Sequence, residues 1–169
     1  YKSAYQDILA QAITGELIGM RNFATLAGVH TDIGEMIDAV EHANIERGHA
    51  VAFQKAADRL GVTPRVEVDA PYWARIRSAF LKWAERGDII ACTIIQELML
   101  ESFAISLYRS AGEGAKGELA TLFAAVAGEE EAHLDHAVQM LTGEYELDPV
   151  AFTAKMKELH DDVMTVLAE

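Results

Sequence analysis

The sequence is short of cysteine, of proline and of positive charge, and each shortage narrows what it can be. A single cysteine, Cys92, excludes an intramolecular disulfide and a cysteine-rich metal site. Only 3 prolines leave long stretches without a breaker, which favours helices. With 14 Lys and Arg against 27 Asp and Glu, the net charge of −13 argues against nucleic acid or an anionic membrane surface as a partner. Strand alternation is missing as well. No apolar run reads as long enough to span a bilayer, so no integral membrane segment is expected. The polar stretch from Tyr1 to Asp7 is unlike a signal peptide, and a cytoplasmic location is expected.

What is present is enough for one packed domain over residues 1–169: 51% of the residues are hydrophobic. Period and punctuation predict a first helix from Lys2 to Ala27, stopped at Gly28. Asp32 caps a second that runs to Leu60, with Glu35 three residues on as in a capping box. Gly61 and Pro64 end it, and residues 62–70 form an irregular crossover. Pro71 opens a shorter helix to Arg86. Asp88 starts a third long helix ending near Ala111, and a fourth covers Gly117 to Leu141. Asp148 and Pro149 begin a final helix that reaches the C-terminus. The expected fold is all-α: a ferritin-like four-helix bundle with a crossover helix and a C-terminal helix.

Two lone glutamates each precede a Glu-x-x-His on the next long helix. Glu16 leads Glu46 and His49; Glu101 leads Glu130 and His133. Three-residue spacing on a helix puts carboxylate and imidazole on one face, so both can reach one metal while a carboxylate from a facing helix bridges to a second. With this many glutamates and histidines, chance alone supplies roughly 0.6 such motifs, so the pair by itself is only suggestive. Height decides the matter. All four glutamates lie roughly four turns into their helices, at mid-bundle, where packed helices meet at one level. Their neighbours are apolar: Leu17, Ile18 and Met20 after Glu16, and Met99, Leu100, Phe103 and Ile105 around Glu101. Four unpaired carboxylates there would cost several kcal/mol each, and two divalent cations balance them. Iron suits this oxygen and imidazole set, with manganese possible.

Other polar residues attract smaller expectations. His42 and His136 read as neighbours of the ligands or as surface histidines. Glu129 or Glu131 can accept from a ligating imidazole. Tyr108, seven residues after Glu101, is a core tyrosine by default. Gly15, Gly19 and Gly48 sit mid-helix, either for close packing or to leave room beside the metals. Gly15, Gly19, Cys92 and Phe103 are expected to line an apolar channel.

At these residues the sequence resembles the aldehyde-deformylating oxygenases, also called fatty aldehyde decarbonylases. The opening Tyr1-Lys2-Ser3-Ala4-Tyr5 with Gly15-Glu16 is similar to that family's first ligand helix, and Glu46-x-x-His49 with Phe53-Gln54 to its second. The run from Cys92 to Tyr108, with Ile95-Gln96 and Glu101-Ser-Phe-Ala-Ile-Ser-Leu-Tyr108, is the most specific part. Glu130-x-x-His133-Leu134 completes the match, which covers residues 1–141. After Glu16 the family tends to be more polar than Leu17, Ile18 and Gly19. The resemblance implies a di-iron oxygenase that cleaves a long-chain fatty aldehyde to an alkane one carbon shorter plus formate. Dioxygen and an external electron donor, such as ferredoxin and its reductase, would be its partners. It also implies that Gln96, Tyr108 and Cys92 lie beside the metals. A ferritin-like ferroxidase or a rubredoxin-free peroxidase is the alternative; a fused rubredoxin module is excluded by the one cysteine. The discriminator is an apolar pocket reaching the metals.

Overall fold

Helix ends fall where side chains or glycine can satisfy exposed backbone groups. In a computed structural model, which describes residues 2–167, the elements are α1 (Lys2–Val29), α2 (Ile33–Leu60), α3 (Pro71–Ala84), α4 (Ile89–Gly114), α5 (Glu118–Leu147) and α6 (Pro149–Leu167). Tyr1, which opens the motif of the resemblance, and the last two residues, on which the end of the expected final helix falls, lie outside the described residues. Asp32 accepts from the Glu35 N–H at 3.1 Å and opens α2. Asp88 and Asp148 do the same for α4 and α6, accepting from Ala91 and Ala151 at 3.0 Å. Gly61 closes α2 at φ 63°, a left-handed conformation that glycine adopts without strain.

Several helix ends shift by a few residues, and three differences from expectation stand out. The first helix continues through Gly28 to Val29, and the fourth passes Leu141 and Gly143 to end at Leu147. A glycine in the last turns costs only about 1 kcal/mol, and Leu141 is buried and anchors that stretch. The third difference is inside α4. Residues Ile94–Leu100 form a π-helical segment, in which the Glu101 N–H reaches back five residues to the Gln96 carbonyl. Every residue from Ala91 to Glu97 is buried, so this stretch is enclosed on all sides and its register answers to the surrounding helices rather than to one amphipathic face.

The same helix bears on the expectation that no run could span a bilayer. Ile89–Gly114 is long and apolar enough by length and composition. More than half of its most apolar window is buried within the bundle, which accounts for that composition.

α1 pairs with α2 and α4 with α5 through short connections; α3 crosses between the pairs, and α6 packs across α3, α5 and the π segment of α4. The core is split. One apolar cluster holds Phe23, Leu26, Phe80, Ile95 and Leu159; the other holds Leu9, Ile13, Phe53, Tyr108 and Phe123. Between them in sequence, on each of the four long helices, stands one buried glutamate: Glu16, Glu46, Glu101 and Glu130. A polar layer therefore crosses the bundle at mid-height.

Candidate metal centre

Helical spacing delivers the six side chains to one place. Glu16, Glu46, Glu101 and Glu130 are at most 4% exposed, and His49 and His133 are 5% and 6%. They form two groups in which the ligand atoms lie within 4.8 Å of one another: Glu16, Glu46, His49 and Glu130; and Glu46, Glu101, Glu130 and His133. Glu46 and Glu130, the glutamates of the two Glu-x-x-His motifs, belong to both groups. Glu16 and Glu101 belong to one each. The shared carboxylates are thus those paired with histidine on their own helix.

The histidines use one nitrogen inward. His49 Nδ1 lies 3.1 Å from Glu16 Oε2 and 3.0 Å from Glu130 Oε1, while Nε2 meets Glu129 Oε2 at 3.0 Å. Glu129 therefore accepts from the outer nitrogen and leaves Nδ1 to face the cluster, an arrangement that orients a metal-binding imidazole. Glu131 has another partner, Arg109. His133 Nδ1 is 3.4 Å from Glu130 Oε2 and 4.0 Å from Glu101 Oε1, without an aligned hydrogen bond to either.

Electrostatics mark the cluster as incomplete on its own. Burial, and then the neighbouring carboxylates, push Glu46 and Glu101 well above the usual carboxylate range. Burial also raises Glu16. Burial alone would lower His49, yet its contacts with Glu130 and Glu16 raise it to about 11. Glu130 is lowered, because the His133 and His49 imidazoles outweigh its burial. Five atoms of the cluster are buried without a hydrogen-bond partner: Glu46 Oε1, both Glu101 oxygens, Glu130 Oε2 and His133 Nδ1. Orphaned acceptors of this kind cost about 1–3 kcal/mol each, more when charged. Oxygen and imidazole donors in two overlapping groups fit a pair of divalent metal ions.

Supporting residues come from three helices. The Tyr108 hydroxyl donates to Glu16 Oε1. Gln96 lies on the π segment, and its Oε1 accepts from Asn22 Nδ2 at 2.7 Å. Asn22 Oδ1 in turn accepts from Arg77 of α3. A guanidinium only donates, so Arg77 sets the direction of this chain and leaves the Gln96 amide N–H to face the carboxylates. Sequence reading missed Asn22 and Arg77. The one available signal was a polar Asn22 between Met20 and Phe23 on an apolar face.

Gly19 and Gly15 separate in role. A Cβ on Gly19 would stand 2.6 Å from Glu46 Oε2 and 3.3 Å from Gln96 Nε2. On Gly15 it would make an ordinary 3.5 Å contact with the Trp73 ring. Gly48 faces open space. Cys92 does not join the centre: it is fully buried among Phe80, Trp83 and Leu159, does not line the cavity beside the cluster, and burial pushes its thiol up to about 12. The family resemblance implies a place beside the metals for it, but the packing of α3 and α6 claims its face.

A cavity of about 300 Å³ ends on the cluster. All four glutamates face it, while neither histidine does. Its walls include Gly15, Gly19, Phe103, Ala104 and Leu107, together with Tyr72 and Trp73 of α3 and Leu167 of α6, which sequence reading did not find.

A helical bundle of this topology with buried glutamates and histidines at mid-height defines the ferritin-like class. The chain matches the family described as long-chain fatty aldehyde decarbonylase over residues 1–161, and it belongs to that family. The match runs further than residue 141. Among solved structures it is similar to "Protein 19 with aldehyde deformylating oxidase activity from Synechococcus", with a TM-score of 0.86 and 26% identity, covering 99% of this chain and 76% of that one.

Proposed function

We propose that this protein is a di-iron aldehyde-deformylating oxygenase acting on a long-chain fatty aldehyde, with Glu16, Glu46, His49, Glu101, Glu130 and His133 as metal ligands. The observation that carries the reading is the apolar cavity that ends on the four carboxylates. A ferroxidase has no use for such a pocket; an acyl chain gains about 0.8 kcal/mol for each methylene buried in it. The iron pair, when bound, supplies the activation of dioxygen.

The chain's own residues supply geometry and charge. Glu46 and Glu130, which belong to both groups, would be shared by the two ions, and Glu16 and Glu101 would each complete one site. Glu129 holds His49 with Nδ1 inward, and Tyr108 holds Glu16. Gly19 leaves the space that the Glu46 carboxylate occupies. The histidines sit away from the cavity, so the aldehyde approaches the carboxylate side. Apolar walls keep water from the reacting carbon. Converting the aldehyde to an alkane one carbon shorter plus formate consumes dioxygen, with electrons and protons from outside and water as co-product. The single, buried cysteine offers no electron-transfer site, which supports an external donor such as ferredoxin with its reductase. The acidic surface and cytoplasmic location belong to the same proposal.

The test is alkane and formate production from aldehydes of graded length, with iron-loaded protein, dioxygen and a reductant. Rapid oxidation of iron to a retained mineral core, with no aldehyde consumed, would overturn this reading in favour of the ferroxidase.

A further inference from the structure

The dimetal cluster is buried, yet any metal must reach it. The apolar cavity suits an acyl chain and disfavours a hydrated dication, which would lose its water against carbon. On the opposite, histidine side there is a second approach. His30, Glu35, Asp38, His42, Glu97 and His136 line a narrow cleft with about 10 Å³ open to a water-sized body. None of these six belongs to the cluster.

Their register is regular. His42 precedes Glu46 by one turn of α2, Glu97 precedes Glu101 by one turn of α4, and His136 follows His133 by one turn of α5. Since α5 runs back along α4, all three steps lead toward the same end of the bundle. Exposure falls along the path. Asp38 and His136 are exposed at the mouth, Glu35 and His42 are half-buried, and Glu97 is 5% exposed at the floor. The His42 ring packs edge-on against the His133 ring, with centroids 4.4 Å apart.

Glu97 supplies the second, independent observation. Its Oε2 lines this cleft, buried and without a hydrogen-bond donor, with His136 Nδ1 3.9 Å away. Phe23, Leu26, Ala39 and Met140 complete the lining, and a buried acceptor left bare where all the polar groups are carboxylates and imidazoles is a place for a cation or its bound water. Among the described residues the donors here do not draw together as tightly as those of the cluster, whose two groups lie within 4.8 Å. That looseness suits passage rather than storage.

We propose that this cleft is the route by which divalent metal reaches the cluster: a weak cation site at Glu97, His42 and His136, fed past Asp38 and Glu35, that hands the ion to His133 and Glu101. The inference rests on the dimetal reading of the cluster and adds the path to it. Acidic clefts raise the arrival rate of a cation by about 10 to 1,000-fold. A residue on a route that is not a ligand changes uptake and release by the same factor and leaves the equilibrium affinity alone.

The experiment uses the metal-free full chain and Co²⁺, following the visible absorption of bound cobalt by stopped flow. The double variant Glu97→Gln/His136→Gln keeps side-chain volume at Glu97 and alters an exposed residue at His136. Cobalt uptake is expected to slow at least about tenfold, and chelator-driven release by the same factor, with two cobalt ions per chain at saturation and an unchanged dissociation constant. Asp38→Asn, at the surface, should slow uptake and release together, by a smaller and salt-dependent factor. Parent-like uptake in the double variant at full stoichiometry overturns the route and leaves the dimetal reading intact. So does slowed uptake confined to a plugged apolar cavity, as in Gly15→Leu. A parent protein that binds no cobalt overturns both.

Discussion

Gly19 and the Glu46 carboxylate compete for one space: a Cβ at position 19 would lie 2.6 Å from Glu46 Oε2 and 3.0 Å from its Cδ. The glycine on α1 therefore makes room for a carboxylate on α2 that belongs to both buried groups. Gly19→Ala should lower metal affinity at least about tenfold, equivalent to about 1.4 kcal/mol. The metal-free protein should change by no more than about 1 kcal/mol, because alanine is the better helix former and offsets part of the crowding. Calorimetric titration with metal, beside thermal melts without it, measures both. Unaltered affinity would show that Glu46 moves aside freely.

Chain-length selection is expected at Gly15 rather than Gly19, whose space the Glu46 carboxylate occupies. A side chain there extends into the cavity beside Trp73 without reaching the cluster. Gly15→Phe should shorten the longest aldehyde accepted, with metal content kept at the parent level. Each methylene excluded is worth about 0.8 kcal/mol, or roughly a fourfold loss in kcat/KM. An unaltered profile of product lengths would move the acyl chain elsewhere.

Metal binding should strengthen as pH rises. His49, raised from 6.5 to about 11, and Glu46 and Glu101, raised above the carboxylate range, hold protons in the metal-free fold that bound metal must displace. A group whose folded pKa is raised stabilises the fold fully below its unfolded value and loses that contribution as pH climbs through the folded value. The metal-free protein should thus lose His49-linked stability from pH 6.5 toward 11, while the metal-bound protein is spared. The gap between their melting temperatures should widen over that window. A constant gap would count against these residues as ligands.

Asn22 is expected to matter more to stability than its position on α1 suggests. Replacing it by alanine leaves Gln96 Oε1 buried without its 2.7 Å donor. A cost of about 1–3 kcal/mol follows, read from urea unfolding. Arg77→Ala should cost less, since Arg77 is only half-buried and water can replace it at Asn22. Equal costs would mean that the guanidinium, rather than the amide pair, holds the chain together.

Much of this molecule is local, and local features are legible in one dimension. Asp32, Asp88 and Asp148 cap the helices they were expected to cap, because a cap is a hydrogen bond to a backbone N–H three residues on. The six cluster residues were legible for a similar reason: Glu-x-x-His spacing fixes a shared face, and matched height fixes a shared level. Tertiary structure alone decided the rest. Glu46 and Glu130 fall in both buried groups because opposing helices bring them across the bundle, which no spacing within a helix encodes. Cys92 went to the core because α3 and α6 cover its face. Trp73 and Leu167 joined the cavity from elements far apart in the chain. The π segment, which sets how Gln96 and Glu101 face the centre, arises where a helix is enclosed on every side and its register is settled by its neighbours. Propensity and period act over a few residues; side chains meeting from different helices answer only to packing.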